Sequence, residues 1–152
     1  MREELVILDE DKAYAARRIA ELQKAILGLG PEFYEVFNQS SETWHDNAPF
    51  DALRDRQSLL DAELQKLRQV LRDSVPGVPT KKKGQAGVGN IVELSSGQRY
   101  FIAGDWTPHA GQLKDGAMVV SRKAPIAAAL LGKKVGTAVS AGKQQATITA
   151  IL

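Results

Sequence analysis

Apolar residues recur along the first part of the chain at alternating steps of three and four: Leu5, Leu8, Lys12, Ala15, Ile19, Leu22, Ile26, Leu29, Phe33 and Val36, with Lys12 the one polar member. That spacing predicts a long amphipathic helix with a heptad seam. The seam keeps its register across Gly28-Leu29-Gly30-Pro31, where the proline predicts a kink or a short break. A second seam runs Phe50, Leu53, Gln57, Leu60, Leu64, Leu67 and Leu71, and Arg54, Asp55, Arg56, Asp61, Glu63, Lys66 and Arg68 fill the positions between as a solvated face. A helix from Ala48 to Asp73 would be roughly 40 Å long at about 1.5 Å per residue. Two seams of similar length joined by a short polar segment predict an antiparallel helical hairpin over residues 1–74, with its tip at about 40–49. Each helix supplies the other's core, since neither buries its stripe alone. The alternative is that both helices pack on the rest of the chain as one compact domain.

The period changes after a linker. Residues 75–89 hold two prolines, four glycines and the run Lys81-Lys82-Lys83, without periodicity. From residue 90 the pattern is that of strands. NIVEL and QRYFIAG flank Ser95-Ser96-Gly97 as one hairpin, AMVVS follows, and TAVSA and QQATITAIL flank Gly142-Lys143 as a second hairpin. Between them Pro125 opens one short helix, PIAAALLG, that ends at Gly132. The expected fold class is α+β: a helical hairpin, then over residues 90–152 a small antiparallel β domain carrying one short helix.

Charge divides the chain in the same place. Residues 1–74 hold 10 Lys/Arg against 15 Asp/Glu, and residues 75–152 hold 10 against 3, so a net −5 half is joined to a net +7 half. That asymmetry suggests separate jobs against separate surfaces of a large partner. The absence of cysteine excludes disulfides, thiolate metal sites and thiol nucleophiles. The start, MREELVILDEDK, is too acidic and its apolar run too short for a signal peptide, and no apolar run nears the roughly 20 residues of a membrane span. A cytoplasmic protein with no membrane contact is expected. His45 and His109, the two histidines, fall in different expected domains and make a histidine metal site an outside reading. No GxSxG, P-loop, Rossmann or HExxH pattern is present, and Gly87-Val88-Gly89 lacks the helix that a phosphate loop needs.

The stretch Ala124-Pro125-Ile126-Ala127-Ala128-Ala129-Leu130-Leu131-Gly132-Lys133-Lys134-Val135-Gly136 is similar to the SPIARALIGKxVGD segment of the bacterial Gre transcript-cleavage factors, GreA and GreB. The order of hairpin, linker and β domain resembles that family over essentially the whole chain. Ala124 stands where the family has serine, and Ala128 where it has arginine. The resemblance implies a globular domain similar in fold to FKBP prolyl isomerases, docked at the rim of the secondary channel of bacterial RNA polymerase. It also implies a hairpin that enters that channel tip first. Tip acids there help hold a second Mg²⁺ in the polymerase active site, where hard oxygen donors suit the ion, so that backtracked RNA is cut. Such a factor brings no cofactor of its own and is not itself an enzyme.

The tip departs from the family's GDLSENAEY. Aligning ENAEY with Asp46-Asn47-Ala48-Pro49-Phe50 puts Asp46 at the family's glutamate and Thr43 at its aspartate, with Glu42 one residue earlier. One acid is thus shortened by a methylene and the other displaced. A ligand misplaced by about 1 Å can cost on the order of 100-fold in rate. Three readings follow. Glu42 and Asp46 converge on the metal with altered geometry, including full cleavage competence. Alternatively, the tip occupies the channel without efficient cleavage, and Thr43, Trp44 and His45 are contacts to the channel or, by stacking, to the RNA 3′ end. In the third, the segment is structural: Asp46 or Asn47 caps the second helix, Pro49 lies in its first turn, and Trp44 and Phe50 close the hairpin.

Other assignments follow from the same motif. Pro125 and Ile126 match the family segment and, with Lys123, are the expected polymerase-docking residues, while Lys133 and Lys134 are expected to be exposed. Ile126, Leu130 and Leu131 have a competing reading as core. Arg54 and Arg56, with Arg17 and Arg18, form a candidate RNA-facing basic strip, against which stands ion pairing such as Arg17 with Glu21. Two other function classes are carried. One is an FKBP-like isomerase or chaperone, for which Tyr100, Phe101 and Trp106 are few aromatics; the other is a coiled-coil adaptor that needs no tip acids.

Overall fold

The computed structural model describes residues 4–40, 48–76, 83–141 and 143–152. They fall into two compact units, Ala13–Arg72 and Met1–Lys12 together with Asp73–Leu152.

The first unit is made from two helices, α1 (Asp9–Ser40) and α2 (Ala48–Asp73). They run antiparallel, since Arg18 pairs with Glu63 while Phe33 meets Phe50. The seams read from the sequence are the buried stripes. Ala15, Leu22 and Leu29 on α1 and Leu64 and Leu67 on α2 are buried, with Ile19, Ile26, Phe33, Leu53 and Leu60 half-buried between them. The break expected at Gly28–Pro31 is absent, and α1 is helical throughout with Pro31 inside it. Proline removes the hydrogen bond to the carbonyl of Leu27. Pro31 and Leu27 are both exposed, so water can satisfy that carbonyl, while the apolar stripe continues on the other side through Leu29 and Phe33.

The second unit is a six-stranded sheet of order β3-β4-β2-β1-β6-β5. Its strands are β1 (Ile91–Leu94), β2 (Arg99–Ile102), β3 (Leu113–Lys114), β4 (Ala117–Val120), β5 (Ala138–Ala141) and β6 (Gln144–Ile151). Four of the pairings are antiparallel, but β2 and β4 run parallel, so the sheet is mixed rather than antiparallel as expected. The 103–116 segment between them carries the chain back to the starting end before β4 begins, which a tight hairpin turn would not do. α3 (Pro125–Leu130) buries Ala127 and Leu130 against Val92, Leu94, Ile102, Val120, Val139 and Ile148. Phe101, Ala103, Ala117 and Val119 form a second cluster, closed by Leu8.

Leu8 therefore corrects the extent of the first seam. Leu5 and Leu8 both precede α1 and belong to the β unit, not to the hairpin expected over 1–74. The Leu5 amide donates to Asp73, the Val75 amide donates to Leu5, and Lys12 Nζ donates to the Val75 carbonyl. A heptad step cannot reveal that a helix starts late, because an extended segment can present the same apolar residues to a different neighbour. The expected linker over 75–89 also contributes to the core. Ala86 is buried, and the 85–86 backbone and side chain bond to Gly132 and Lys133. Asn90, buried just after Gly89, accepts from the Gly87 amide and donates to the Leu152 carbonyl, tying this turn to the residue that follows β6.

Candidate functional site

The tip residues Glu42, Thr43, Trp44, His45 and Asp46 lie outside the described residues, as do the capping candidate Asn47 and its neighbours from 41 onward. The helix ends that flank them are defined. Phe33 and Phe50 meet edge-on with centroids 5.6 Å apart, and the Arg54 guanidinium lies 6.0 Å from the Phe50 centroid. Pro49 stands in the first turn of α2, where its missing N–H costs nothing. Between the two helices a groove of about 460 Å³ is lined by Glu32, Glu35, Val36, Pro49, Ala52, Leu53 and Arg56.

The candidate basic strip is largely occupied by acids of the hairpin. Arg18 donates from Nε and Nη2 to the two carboxylate oxygens of Glu63 at 2.8 and 3.0 Å, and from Nη1 to Glu21 at 3.1 Å. The bidentate pair raises the Arg18 pKa and holds the Glu63 carboxyl below its ordinary range. Glu21 thus pairs at i,i+3 with Arg18 instead of at i,i+4 with Arg17. Arg56 stands 3.7 Å from Glu32, and Arg54 covers Phe50.

In the β unit, Lys123 and Pro125 are exposed and Ile126 is half-buried against the core cluster, which brings the three expected docking residues together at the start of α3. Ala124, at the N-cap in extended conformation, provides no side-chain cap, since the family's serine hydroxyl is missing. Leu130 is fully buried, which settles it as core. Gly132 ends the helix at φ +78°, a conformation that favours glycine. Lys133 and Lys134 beyond it are exposed.

Two polar clusters went unnoticed in the sequence. Asp105 follows Gly104 after β2. Its carboxylate accepts from the Val6 amide at 2.7 Å and from Arg122 Nε and Nη2 at 2.9 and 2.8 Å. Its amide donates back to Val6 O. Asp11, in the first turn of α1, is buried beside Thr107, His109, Glu10 and Lys114. The signal available was weak: GDW after a strand run reads as an ordinary loop, and Asp11 as one of three solvated helix-start acids. Among the described residues, no group of three or more His, Cys, Asp or Glu side chains is placed to hold a metal ion.

Burial pushes the Asp11 carboxyl up from its ordinary value, aided by Glu10 and opposed by the Thr107 hydrogen bond, His109 and Lys114. A raised carboxyl favours the fold at acid pH: that stability is full below about 3.8 and is lost as pH rises through the folded-state pKa. Asp11→Asn should therefore melt higher than wild type at pH 7, with the difference shrinking towards pH 4. Thermal unfolding at both pH values checks this, and a lower melting temperature at pH 7 would refute it.

An antiparallel helical hairpin joined to a sheet unit with one short, proline-started helix is the class of protein that these elements define. No family model matches the chain. It is 30% identical over 102 residues to the transcription elongation factor GreA of Macrococcus caseolyticus, a match covering 62% of this chain and 60% of that protein. It is 27% identical over 110 residues to the GreA of Mycoplasma capricolum, covering 71% and 69%. Among solved structures, one of the transcription factor Gfh1 is 21% identical over 99% of both chains with a TM-score of 0.47. The GreA homolog Gfh1 of Thermus thermophilus is 21% identical over 99% of both with a TM-score of 0.41. The chain is thus similar in sequence to two proteins named GreA, and its match spans 60% of the length of the first of them.

Proposed function

We propose that this protein binds bacterial RNA polymerase, enters its secondary channel with the hairpin tip first and regulates transcript elongation, either without efficient cleavage or with altered cleavage. The observation that carries the reading is the sequence likeness to proteins named transcription elongation factor GreA, joined to the displaced acids of the tip. Glu42 and Asp46 are hard oxygen donors of the kind Mg²⁺ takes, four residues apart instead of three as in the family's tip. The Mg²⁺ would belong to the polymerase active site, where it stabilises attacking and leaving oxygens; this chain would contribute ligands, not catalysis of its own. Pro125, Ile126 and Lys123 dock the β unit on the polymerase in this reading. Arg54 and Arg56 are weaker RNA contacts, since Arg56 already has an acid beside it.

A backtracked bacterial elongation complex with Mg²⁺ tests the proposal. The expected result is binding with RNA shortening at least about 100-fold slower than a GreA supports, given the tip displacement. Residual cleavage should vanish in Asp46→Ala and Glu42→Ala. Shortening as fast as with GreA, lost in either variant, would make this a fully competent cleavage factor. Absence of polymerase binding would refute the proposal and leave the coiled-coil adaptor.

A further inference from the structure

The groove between α1 and α2 near the tip has a composition that selects its occupant. Its floor is apolar, from Val36, Leu53, Ala52 and Pro49, and its lip is acidic, from Glu32 and Glu35. Its one cation, Arg56, is 3.7 Å from Glu32, beyond direct hydrogen-bond distance. Glu35 is exposed and has no ion-pair partner among the described residues. No lysine or arginine occurs on α1 beyond Lys24. This end of the hairpin therefore repels phosphate and attracts cations, and Arg54, the other nearby cation, is laid over Phe50.

Long basic side chains match such a place. Their aliphatic stems cover apolar surface while the charged head stays at the wet edge. A volume of about 460 Å³ accommodates one such side chain with room for water. We propose that this groove receives a lysine or arginine of the protein surface into which the hairpin inserts, its stem on Val36 and Leu53 and its head at Glu35. The inference rests on the polymerase reading and names the chemistry of one contact within it. RNA is the less suited neighbour, because its backbone would bring negative charge against Glu32 and Glu35.

Binding to bacterial core RNA polymerase, measured by competition at low and high salt, tests it with three folded variants. Glu35→Lys should weaken binding about three- to tenfold at low salt, with the loss shrinking as salt screens the pair. Ala52→Phe fills the groove without changing charge and should weaken binding at both salt concentrations. Asp55→Lys makes the same charge change outside the groove lining and should bind as wild type does. Unchanged binding of Glu35→Lys, or a loss no greater than that of Asp55→Lys, overturns the inference while the polymerase reading stands. Tighter binding of Glu35→Lys would mean that the neighbouring polymerase surface is acidic and would also overturn it. Failure of the wild type to bind polymerase sinks both.

Discussion

Replacing Asp105 with alanine is expected to destabilise the β unit by about 3 kcal/mol, because three charge-assisted hydrogen bonds converge on one carboxylate. That side chain is 1% exposed, whereas Arg122 is 37% exposed. On truncation Arg122 can regain water, but the Val6 amide loses its acceptor within the structure. For a chain of this size the change amounts to a fall of about 10 °C in melting temperature. Asp105→Asn separates charge from shape. It keeps an oxygen for Val6 but loses the bidentate ion pair, so it should fall between wild type and alanine. A melting temperature within about 2 °C of wild type for the alanine variant would show that the network contributes little.

Gly104→Ala should cost about 2–3 kcal/mol through backbone crowding. A Cβ at that position would stand 2.2 Å from the Val6 carbonyl oxygen and 2.9 Å from Ile7 Cα. Neither obstacle is a flexible side-chain end, so the 4–8 segment must move. Its displacement would uncover the Phe101, Ala103 and Val119 cluster that Leu8 closes. It would also break the exchange of amide bonds among Leu5, Asp73 and Val75. Hydrogen exchange is the sharper measurement: the Leu5 and Val75 amides should lose protection while the β1–β2 amides keep theirs. Retained protection at Leu5 and Val75 would refute the crowding argument. Gly104→Ala and Asp105→Ala both act on Val6, so together they should cost less than their sum.

The hairpin was legible because its period repeats. Leu22, Leu29, Leu64 and Leu67 are buried where steps of three and four put them. The strand pairs around Ser95–Gly97 and Gly142–Lys143 were legible through turn chemistry, and α3 through its proline and glycine. The candidate docking residues could be read from one segment, since Lys123, Pro125 and Ile126 are neighbours in the chain. The groove could not, because Glu35 and Ala52 meet across two helices and each alone reads as a solvated position.

By itself the sequence determined the two-part plan, the seams and the short helix, since each depends on local periodicity or turn residues, and its resemblance to GreA was carried by a contiguous motif. The tertiary structure decided the parallel pairing of β2 with β4, the continuity of α1 through Pro31, and the place of residues 5–8 in the β unit. It also decided the partners of Asp105, which lie 99 residues away at Val6 and 17 away at Arg122. These features depend on which surfaces and hydrogen-bonding groups remain unsatisfied once the local elements have formed. Such long-range pairing leaves no period along the chain.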